Sequence, residues 1–400
     1  MSRTGRTACP LNYLEFSILS RESKKSLPTK VMNEEILYLI CLTRVLPCQS
    51  QVQHTLLDAL GSAKAIYDAR HDLQDILPEV SDRLVSAVCQ MDQHIARAQQ
   101  EMVFAEKGHI QLISCQDDRY PARLRECHDA PILLYYRGTT DLNCRHIISM
   151  VGTRKATEYG KTFCQRFLRE LSQLCPDVLV VSGLAYGIDI NSHRQALANH
   201  LPTIGVLAHG LDLIYPRMHR QTAIEMLSQG GLITEYMSQT VPDKLNFVAR
   251  NRIVAGMADA VIVVESAEKG GSLITAGMAT DYNREVYAVP GRIGDAASVG
   301  CNHLIRDSRA ALLQTAEEFV ESMGWATVEK EKQPIQRELF HTLSPEETLI
   351  YNALKGNDGK QLNLLTVETN LPVSRLSSLL FEMEMNGLVR RLSGGTYRLL

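Results

Sequence analysis

The chain has 400 residues, of which 45% are hydrophobic, and a formal net charge of −3 at pH 7. This length allows two or three domains with hydrophobic cores, and the small net charge excludes a broad basic surface of the kind that coats nucleic acid. No apolar run reaches the roughly 18 residues that a membrane-spanning helix needs, and residues 1–30 lack the pattern of a signal peptide, so we expect a cytoplasmic protein without a membrane partner.

The ten cysteines are scattered along the chain. None of them forms a CxxC pair or a set of Cys and His residues with the spacing of a zinc site. We therefore expect buried free thiols, with no metal site and no disulfide framework.

The N-terminal part of the chain predicts two segments. Residues 1–31 are polar and basic without clear periodicity, and we interpret them as a disordered tail, with Met32 as an alternative start to Met1. Residues 32–110 have apolar residues at helical spacing and predict a small helical domain that is SAM-like or helix-hairpin-helix-like. Its LLDALGSAKAIYDA segment either contacts a nucleic-acid backbone or forms a packing turn between helices.

The middle of the chain, residues 111–325, predicts the main domain. A connector has two short strands around Pro121 and Pro131, and six apolar runs then alternate with helical segments. These runs occupy residues 147–152, 178–183, 203–210, 231–236, 260–266 and 285–291. Continuous apolar strands separated by helices indicate a parallel sheet covered on both faces, so the predicted fold class is α/β with an extended Rossmann-like core.

Polar turns that contain glycine follow the predicted strands. The carboxyl ends of parallel strands meet at one edge of an open sheet, so we expect these turns to converge on one crevice. Glycine lets a ligand approach the backbone, while free N–H groups, hydroxyls and arginines are donors for phosphate. The candidate residues in these turns are Gly152, Thr153, Arg154, Thr157, Ser182, Gly183, Ala185, Arg217, Lys269, Gly271, Ser272 and Thr275.

The run NFVARNRIVAG contains the strongest candidates. Arg250, Asn251 and Arg252 stand where we expect a loop to turn into a helix. This arrangement would aim two guanidinium groups and an amide at one phosphate. In the competing interpretation the arginines form salt bridges with Glu235 or Glu265.

The charge of the predicted core bears on how an anion would be held. Residues 146–320 contain 16 Lys and Arg residues against 17 Asp and Glu residues, so binding must come from focused arginines and backbone N–H groups. Phe247, just before the arginines, either stacks on a nucleobase or packs in the core.

The sequence offers less support for catalysis. Asp189 and His193 stand four residues apart on one predicted helical face, where they form either a loop-fixing contact or a catalytic pair. The GxxxxGK[ST], GxGxxG and GxSxG signatures are absent. Several anion-binding turns without an evident nucleophile, base or metal indicate a binding protein that has no catalytic residues and no cofactor.

The C-terminal part predicts a linker at 326–340 and a winged-helix-like domain at 341–400, with three helices and a hairpin. Residues 345–400 carry six basic and six acidic side chains. The helix that would enter a DNA groove offers Arg375 but also Glu382, whereas DNA readers are usually more basic. This balance favours contact with a protein, or a weak accessory role.

A set of motifs makes residues 146–315 similar to the DNA processing protein A family, also called DprA or Smf. They are VGTRKATEYG, SGLAYGIDINSHRQAL, GLDLIYP, NFVARNRIVAG, GGSLITAGMA, VYAVPG and GCNHLIR. The resemblance implies a homodimer that binds single-stranded DNA without sequence specificity, protects incoming DNA and helps to load the RecA recombinase during natural transformation and recombination. On matching positions it implies phosphate contacts from Arg154, Arg217, Arg250 and Arg252, with the backbone of Gly152, Gly183 and Gly271 assisting.

Two other functions stay open. The core resembles, more distantly, the cytokinin-activating phosphoribohydrolases, which would make the chain an enzyme acting on nucleoside monophosphates. Their PGGxGTxxE signature is missing, because EKGGSLITAGMA stands in the comparable place without the glutamate. In a third interpretation the chain is a recombinase adaptor whose winged unit makes the essential contact.

Overall fold

A computed structural model describes residues 33–325, 343–355, 359–392 and 396–399 of the chain. The chain divides into two compact units between Val328 and Glu329. The predicted tail at 1–31, the alternative start at Met32 and the predicted linker at 326–340 lie outside the described residues, so these stay predictions. None of the described helices combines the length and the apolar composition that crossing a bilayer requires.

Helices form the beginning of the first unit. They are α1 (Glu34–Val45), α2 (Ser50–Leu60), α3 (Ala63–Asp68), α4 (Leu73–Ile76), α5 (Asp82–Cys89) and α6 (Ile95–Lys107), with a 3₁₀ turn at Gln90–His94. Side-chain caps start several of them, as at Asn33, whose Oδ1 accepts the N–H of Glu35 at 3.1 Å. The buried side chains of these helices share one hydrophobic core with one face of the sheet. The predicted domain boundary at residue 110 stays a prediction.

The turn between α2 and α3 shows how the helix-Gly-helix segment is used. The carboxylate of Glu35 accepts the backbone N–H groups of Ala63 at 2.6 Å and Lys64 at 3.0 Å. Glu34 pairs with the ammonium of Lys64 at 2.8 Å. Acidic side chains of α1 therefore occupy the donors that a nucleic-acid backbone would need, which supports the packing-turn interpretation.

A nine-stranded sheet forms the centre of the first unit. Its strands are β1 (Gln111–Ser114), β2 (Leu133–Gly138), β3 (Ile147–Gly152), β4 (Leu179–Ser182), β5 (Thr203–Val206), β6 (Gly230–Thr234), β7 (Ala260–Glu265), β8 (Glu285–Ala288) and β9 (Ala311–Leu312). They follow the order β1-β2-β6-β5-β4-β3-β7-β8-β9. From β6 to β9 all neighbours are parallel, which confirms the predicted extended parallel sheet. The connector strands β1 and β2 join its edge as antiparallel strands.

Helices cover both faces of the sheet. They are α7 (Ala122–Arg125), α8 (Glu158–Leu174), α9 (Ile188–Ala198), α10 (Arg220–Gln229), α11 (Lys244–Gly256), α12 (Gly271–Asp281), α13 (Val299–Arg306) and α14 (Ala316–Ser322). One face packs on Phe163, Phe167 and Phe319 of α8 and α14. The other packs on residues such as Ile253 of α11 and Ala276 of α12. Burial on both faces explains why the strands are apolar along their whole length.

The second unit is a winged-helix domain, as predicted. It contains α15 (Pro345–Leu354), α16 (Leu362–Thr369) and α17 (Val373–Met385), with a three-stranded sheet of β10 (Lys360–Gln361), β11 (Val389–Leu392) and β12 (Thr396–Leu399). A capping box starts α15, because Ser344 and Glu347 each accept the other's backbone N–H. The unit has a hydrophobic core of its own around Ile350, Leu376 and Val389.

Candidate nucleic-acid interface

A large cleft of the first unit lies at the carboxyl edge of the sheet. The strand order reverses between β3 and β7, which are neighbours although other strands separate them in sequence order. Loops after the two strands leave in opposite directions at such a point and open a crevice. The cleft has a volume of about 510 Å³, with α11 and the start of α12 among its walls. We call it the main cleft.

Most of the predicted site residues line the main cleft. These are Gly152, Thr153, Arg154, Ala185, Phe247, Arg250, Asn251, Lys269, Gly271, Ser272 and Thr275. The structure therefore brings together turns that follow β3, β4 and β7. Their function as DNA contacts stays a prediction.

Arg154 and Phe247 form a contact between two walls of the main cleft. The guanidinium carbon of Arg154 stands 5.3 Å from the centre of the Phe247 ring. The centres of the Phe247 and Tyr215 rings are 5.9 Å apart, and the two rings are tilted relative to each other. Arg154 is exposed and Phe247 half-buried, so this aromatic face belongs partly to the cleft. A cation over an aromatic ring contributes roughly 0.5–1 kcal/mol at an exposed site.

The N-terminus of α12 supplies backbone donors. Gly270 occupies the N-cap position and offers no side-chain cap to the first N–H groups of the helix, which suits an anion. Lys269 stands exposed just before it. The hydroxyls of Ser272 and Thr275, expected as donors, instead donate to Ser266 Oγ at 2.9 Å and Gly271 O at 3.2 Å. The backbone, not these hydroxyls, carries the donor capacity here.

Arg250 forms the floor of the main cleft. Its Nη1 donates to the carbonyl oxygens of Gly183, at 2.7 Å, and Val206, so it ties together the ends of β4 and β5. Only 3% of its surface is exposed. Burial lowers its pKa to about 10, with the nearby Asp189 acting in the opposite direction. Arg250 thus stays charged at neutral pH, but one of its two terminal nitrogens is engaged with the protein.

The position of Arg252 corrects the prediction that both arginines face one phosphate. Both lie inside α11, which begins at Lys244 and not at the arginines. Helix positions two apart do not share a face. Arg252 points away from the main cleft and pairs with Glu235 at 2.6 Å, while its other terminal nitrogen donates to the carbonyl of Asp129. The competing interpretation, a salt bridge to Glu235, is correct for this residue.

Three further predicted residues also do not line the main cleft. Thr157 caps α8 and donates its hydroxyl to Glu265, whose Oε2 accepts the Thr157 N–H at 2.9 Å. Ser182 is fully buried and donates to Met150 O at 2.6 Å. Their expected ligand contacts are replaced by bonds that hold the fold. Arg217 is exposed in a 3₁₀ turn outside the cleft, and its DNA contact stays a prediction.

Gly183 lies behind the main cleft and leaves room for Arg250. A Cβ atom there would stand 2.4 Å from Arg250 Nη2 and 2.6 Å from Asp189 Oδ2. Its carbonyl accepts from Arg250, so its backbone serves the cleft floor. The expected contact from this backbone to phosphate is therefore corrected to a contact with the arginine.

Asp189 and His193 do not pair with each other. The Asp189 carboxylate accepts backbone N–H groups of Ala185 and Gly183, and burial raises its pKa. His193 Nδ1 stands 2.7 Å from Thr203 Oγ1, and burial lowers the pKa of His193 to about 3. Asp189 thus holds the turn after β4, while His193 contacts the first residue of β5, so neither the predicted contact between the two residues nor a catalytic pair is present.

Sequence reasoning missed Lys244 and Val248. Both line the main cleft with Phe247 and Asn251. These four positions have the spacing i, i+3, i+4 and i+7 of one helical face. The signal was available, because Asp243 is an N-cap whose Oδ1 accepts the N–H of Leu245 at 2.8 Å. A helix that begins at Lys244 after this cap predicts the face.

The charge of the main cleft differs from that of the whole core. Its lining contains the cations Arg154, Lys244, Arg250 and Lys269 against one carboxylate, that of Asp189. The surrounding core is nearly neutral. The fold thus concentrates positive charge at the sheet edge. Within the described residues, no group of three His, Cys, Asp or Glu side chains is placed to hold a metal ion.

Comparison with known proteins identifies relatives for both units. The family model described as DNA recombination-mediator protein A matches residues 111–324, and the DprA winged helix domain matches residues 335–395. The DNA processing protein DprA of Streptococcus pneumoniae is 39% identical over 194 residues, which are 48% of this chain and 68% of that protein. The putative DNA processing protein DprA of Mycobacterium tuberculosis is 33% identical over 319 residues, covering 76% of this chain and 81% of the relative.

A solved structure shows the same architecture. The crystal structure of DNA processing protein A from Streptococcus pneumoniae superposes with a TM-score of 0.61 at 31% sequence identity. The match covers 71% of this chain and 97% of that one. The similarity therefore extends well beyond the motifs of the main cleft.

Proposed function

This chain belongs to the DNA recombination-mediator protein A family, and from that premise we propose that it binds single-stranded DNA in the main cleft without sequence specificity. The observation that carries the proposal is the convergence of four cations, an uncapped helix N-terminus and one aromatic ring on the same cleft. Phosphates are contacted by cations and backbone N–H groups, and such contacts hold no base identity.

The preference for single strands is supported by the aromatic wall. Bases of a single strand are free to stack on a ring such as Phe247, whereas those of a duplex are already stacked within it. Arg154 stands over one part of this ring and presents charge beside it. A backbone phosphate next to Arg154 would place its base near Phe247.

The wider biological function rests on the family resemblance. We propose that the protein protects incoming DNA and helps to load the RecA recombinase during natural transformation and recombination, as a cytoplasmic homodimer. The description of the matching family as a recombination mediator supports a function in recombination.

Binding without catalysis is also part of the proposal. A phosphoribohydrolase needs an accessible acid, and the carboxylate that lines the main cleft, that of Asp189, is buried and accepts two backbone N–H groups. Release of ribose 5-phosphate from a nucleoside monophosphate by the purified protein would instead favour the enzyme alternative.

The first prediction tests the cations of the cleft. Replacing Arg154 and Lys269 by Ala should weaken binding of a fluorescent oligonucleotide about tenfold or more and reduce the slope of log affinity against log salt by about 1.4, since each phosphate contact on a single strand contributes about 0.7. Fluorescence anisotropy at several salt concentrations measures both quantities. Both side chains are exposed, so the melting temperature should fall by at most a few degrees, from loss of the Arg154 contact with Phe247.

A matched control removes two cations that do not line the cleft, Arg83 and Lys107, both exposed. This control should keep the affinity and the salt slope of the unaltered protein. Equal effects of the two double variants would mean that binding depends on total charge and not on the main cleft.

A further inference from the structure

A second pocket lies on the other side of the first turn of α11. It has a volume of about 210 Å³. Its walls come from the N-terminal helices, from the start of β2 and from the loop after β6, with Asn246 of α11 closing one side. We call it the side pocket. Nothing in the proposed function uses it.

The side pocket offers hydrogen-bonding groups on one wall. Asn246 lines it with a half-buried amide. Glu235 also lines it, and its Oε2 accepts from Arg252. Its Oε1 is buried away from solvent, so this carboxylate is a fixed part of the wall and Asn246 is the group that a ligand can contact.

The walls and rim suit a flat ring attached to a phosphate. Tyr236 and Pro131 line the pocket and provide apolar surface, and Tyr236 is half-buried. Arg44 also lines it and supplies a cation on the last turn of α1. A nucleobase offers ring faces and an N–H edge, and its own phosphate would stand near a rim cation.

Two exposed apolar side chains lie near the first turn of α11, which borders both pockets; we call them the apolar ridge. Val241, three residues before the helix, is 65% exposed, and Leu245, in its first turn, is 77% exposed. Lys244 of this helix lines the main cleft and Asn246 lines the side pocket. A helix is about 10 Å across with its side chains, a distance that two nucleotides of an extended strand span. The Asp243 carboxylate at this turn disfavours phosphates there, so bases would contact the ridge.

We propose that the strand held in the main cleft continues over the first turn of α11 and places one base in the side pocket. There the amide of Asn246 contacts the base edge, and Arg44 contacts a backbone phosphate. This inference rests on the proposed function of the main cleft. It adds a base-sized subsite, where the Asn246 amide can donate to or accept from the edge of any base.

The test compares oligonucleotides of two lengths on the full-length protein. The variant Arg44→Ala with Asn246→Ala should bind a deoxycytidine 12-mer about tenfold more weakly, the effect of losing roughly one stacked base, and a 6-mer as well as the unaltered protein does. The matched control Gln51→Ala with Gln74→Ala, two exposed side chains outside both pockets, should bind both oligonucleotides normally. Equal affinity of the variant and the unaltered protein for the 12-mer overturns the inference.

Two further readouts separate this inference from the proposed function. The variant in which Arg154 and Lys269 are replaced by Ala should bind both the 6-mer and the 12-mer more weakly. Unchanged affinity of this variant for both oligonucleotides would contradict the proposed function itself. Cys48 lines the side pocket and is exposed, so its alkylation, followed by mass spectrometry of the Cys48 peptide, should slow when the 12-mer is bound but not when the 6-mer is bound. Unchanged alkylation with the 12-mer would contradict a base in the side pocket.

Discussion

At the scale of single residues, two arginines of α11 show how position on a helix decides what a charge does. Arg250 faces the sheet edge and connects the ends of β4 and β5 beneath the main cleft. Arg252 faces away and neutralises Glu235. Both are buried, so substituting either one changes the fold as well as the charge. The exposed Arg154 and Lys269 are therefore better probes of binding.

The ion pair of Arg252 and Glu235 leads to a stability prediction. Arg252→Ala leaves a buried carboxylate without its partner and should lower the free energy of unfolding by about 3–5 kcal/mol. Arg252→Met combined with Glu235→Leu removes both charges and should recover most of this loss. Urea denaturation measures the two values. A double variant that is no more stable than the single one would show that the pair is not the cause.

His193 leads to a prediction about pH. Burial lowers its pKa to about 3 in the folded protein, against about 6.5 in the unfolded chain. Below pH 6.5 the unfolded state therefore binds a proton that the folded state does not bind, so this residue makes stability fall as pH falls, by about 1.4 kcal/mol per pH unit, until about pH 3.

The matched comparison is His193→Gln, which cannot titrate. The stability difference between the unaltered protein and this variant should decrease by about 2 kcal/mol between about pH 7.5 and about pH 5 in urea denaturation. His209 is also buried, with a pKa lowered to about 4. It is present in both proteins, so its contribution to the stability difference cancels. A difference that is the same at the two pH values would contradict the prediction.

At the scale of elements, the turn before α9 holds the loop that carries Arg154. Gly187 has φ = 78°, and a Cβ atom there would stand 2.0 Å from the carbonyl oxygen of Thr153. The N–H of Ile188 donates to that same oxygen at 3.2 Å. The start of α9 and the turn after β3 therefore share one backbone contact.

Gly187→Ala should consequently displace Thr153 and Arg154, lower the melting temperature and weaken DNA binding. Gly61→Ala is the matched control, because Gly61 has φ = 84° but no atom within 4 Å of the position that an added methyl group would take. It should cost only the left-handed backbone penalty of about 1 kcal/mol and leave binding unchanged. Calorimetry measures the melting temperature of both variants, and anisotropy measures their affinity for DNA. Equal losses of stability and of affinity in the Gly187 and Gly61 variants would contradict this account.

The elements that sequence predicts well are those with a local cause. The apolar strands fix the carboxyl edge, and this is why the sequence predicts that Gly152, Ala185 and Lys269 meet in one cleft, as they do. The start of α11 was not predicted, because its local signal is a single N-cap at Asp243, seven residues before Arg250. The ion pair between Arg252 and Glu235 depends on strand and helix packing, so sequence could offer it only as an alternative.

At the scale of the whole molecule, one feature of the sheet order could not be predicted from the sequence. The antiparallel pairing of β2 with β6 brings Tyr135 opposite Thr234, and no local pattern specifies a partner so distant along the chain. The parallel core and the winged-helix domain follow from alternation and from helix count, and both are confirmed.

The winged-helix domain has the features of a protein-contacting surface. On α17, Phe381 is 64% and Met385 73% exposed, and Glu382 lies beside them, while Arg375 pairs with Glu346 at 2.7 Å. An apolar and acidic helix is poorly suited to a DNA groove. This composition agrees with the predicted protein-contact or accessory role, which stays a prediction.

The central claim is that the main cleft holds single-stranded DNA through its phosphates. The most direct measurement is a titration of the full-length protein with single-stranded and duplex oligonucleotides of equal length, repeated with Arg154, Lys244 and Lys269 replaced by Ala. We predict tighter binding of the single strand, little dependence on its sequence, and much weaker binding of the single strand by the triple variant, whose melting temperature should fall by at most a few degrees. Equal affinity of the unaltered protein for both forms, or a triple variant that binds the single strand as tightly as the unaltered protein does, would contradict the account.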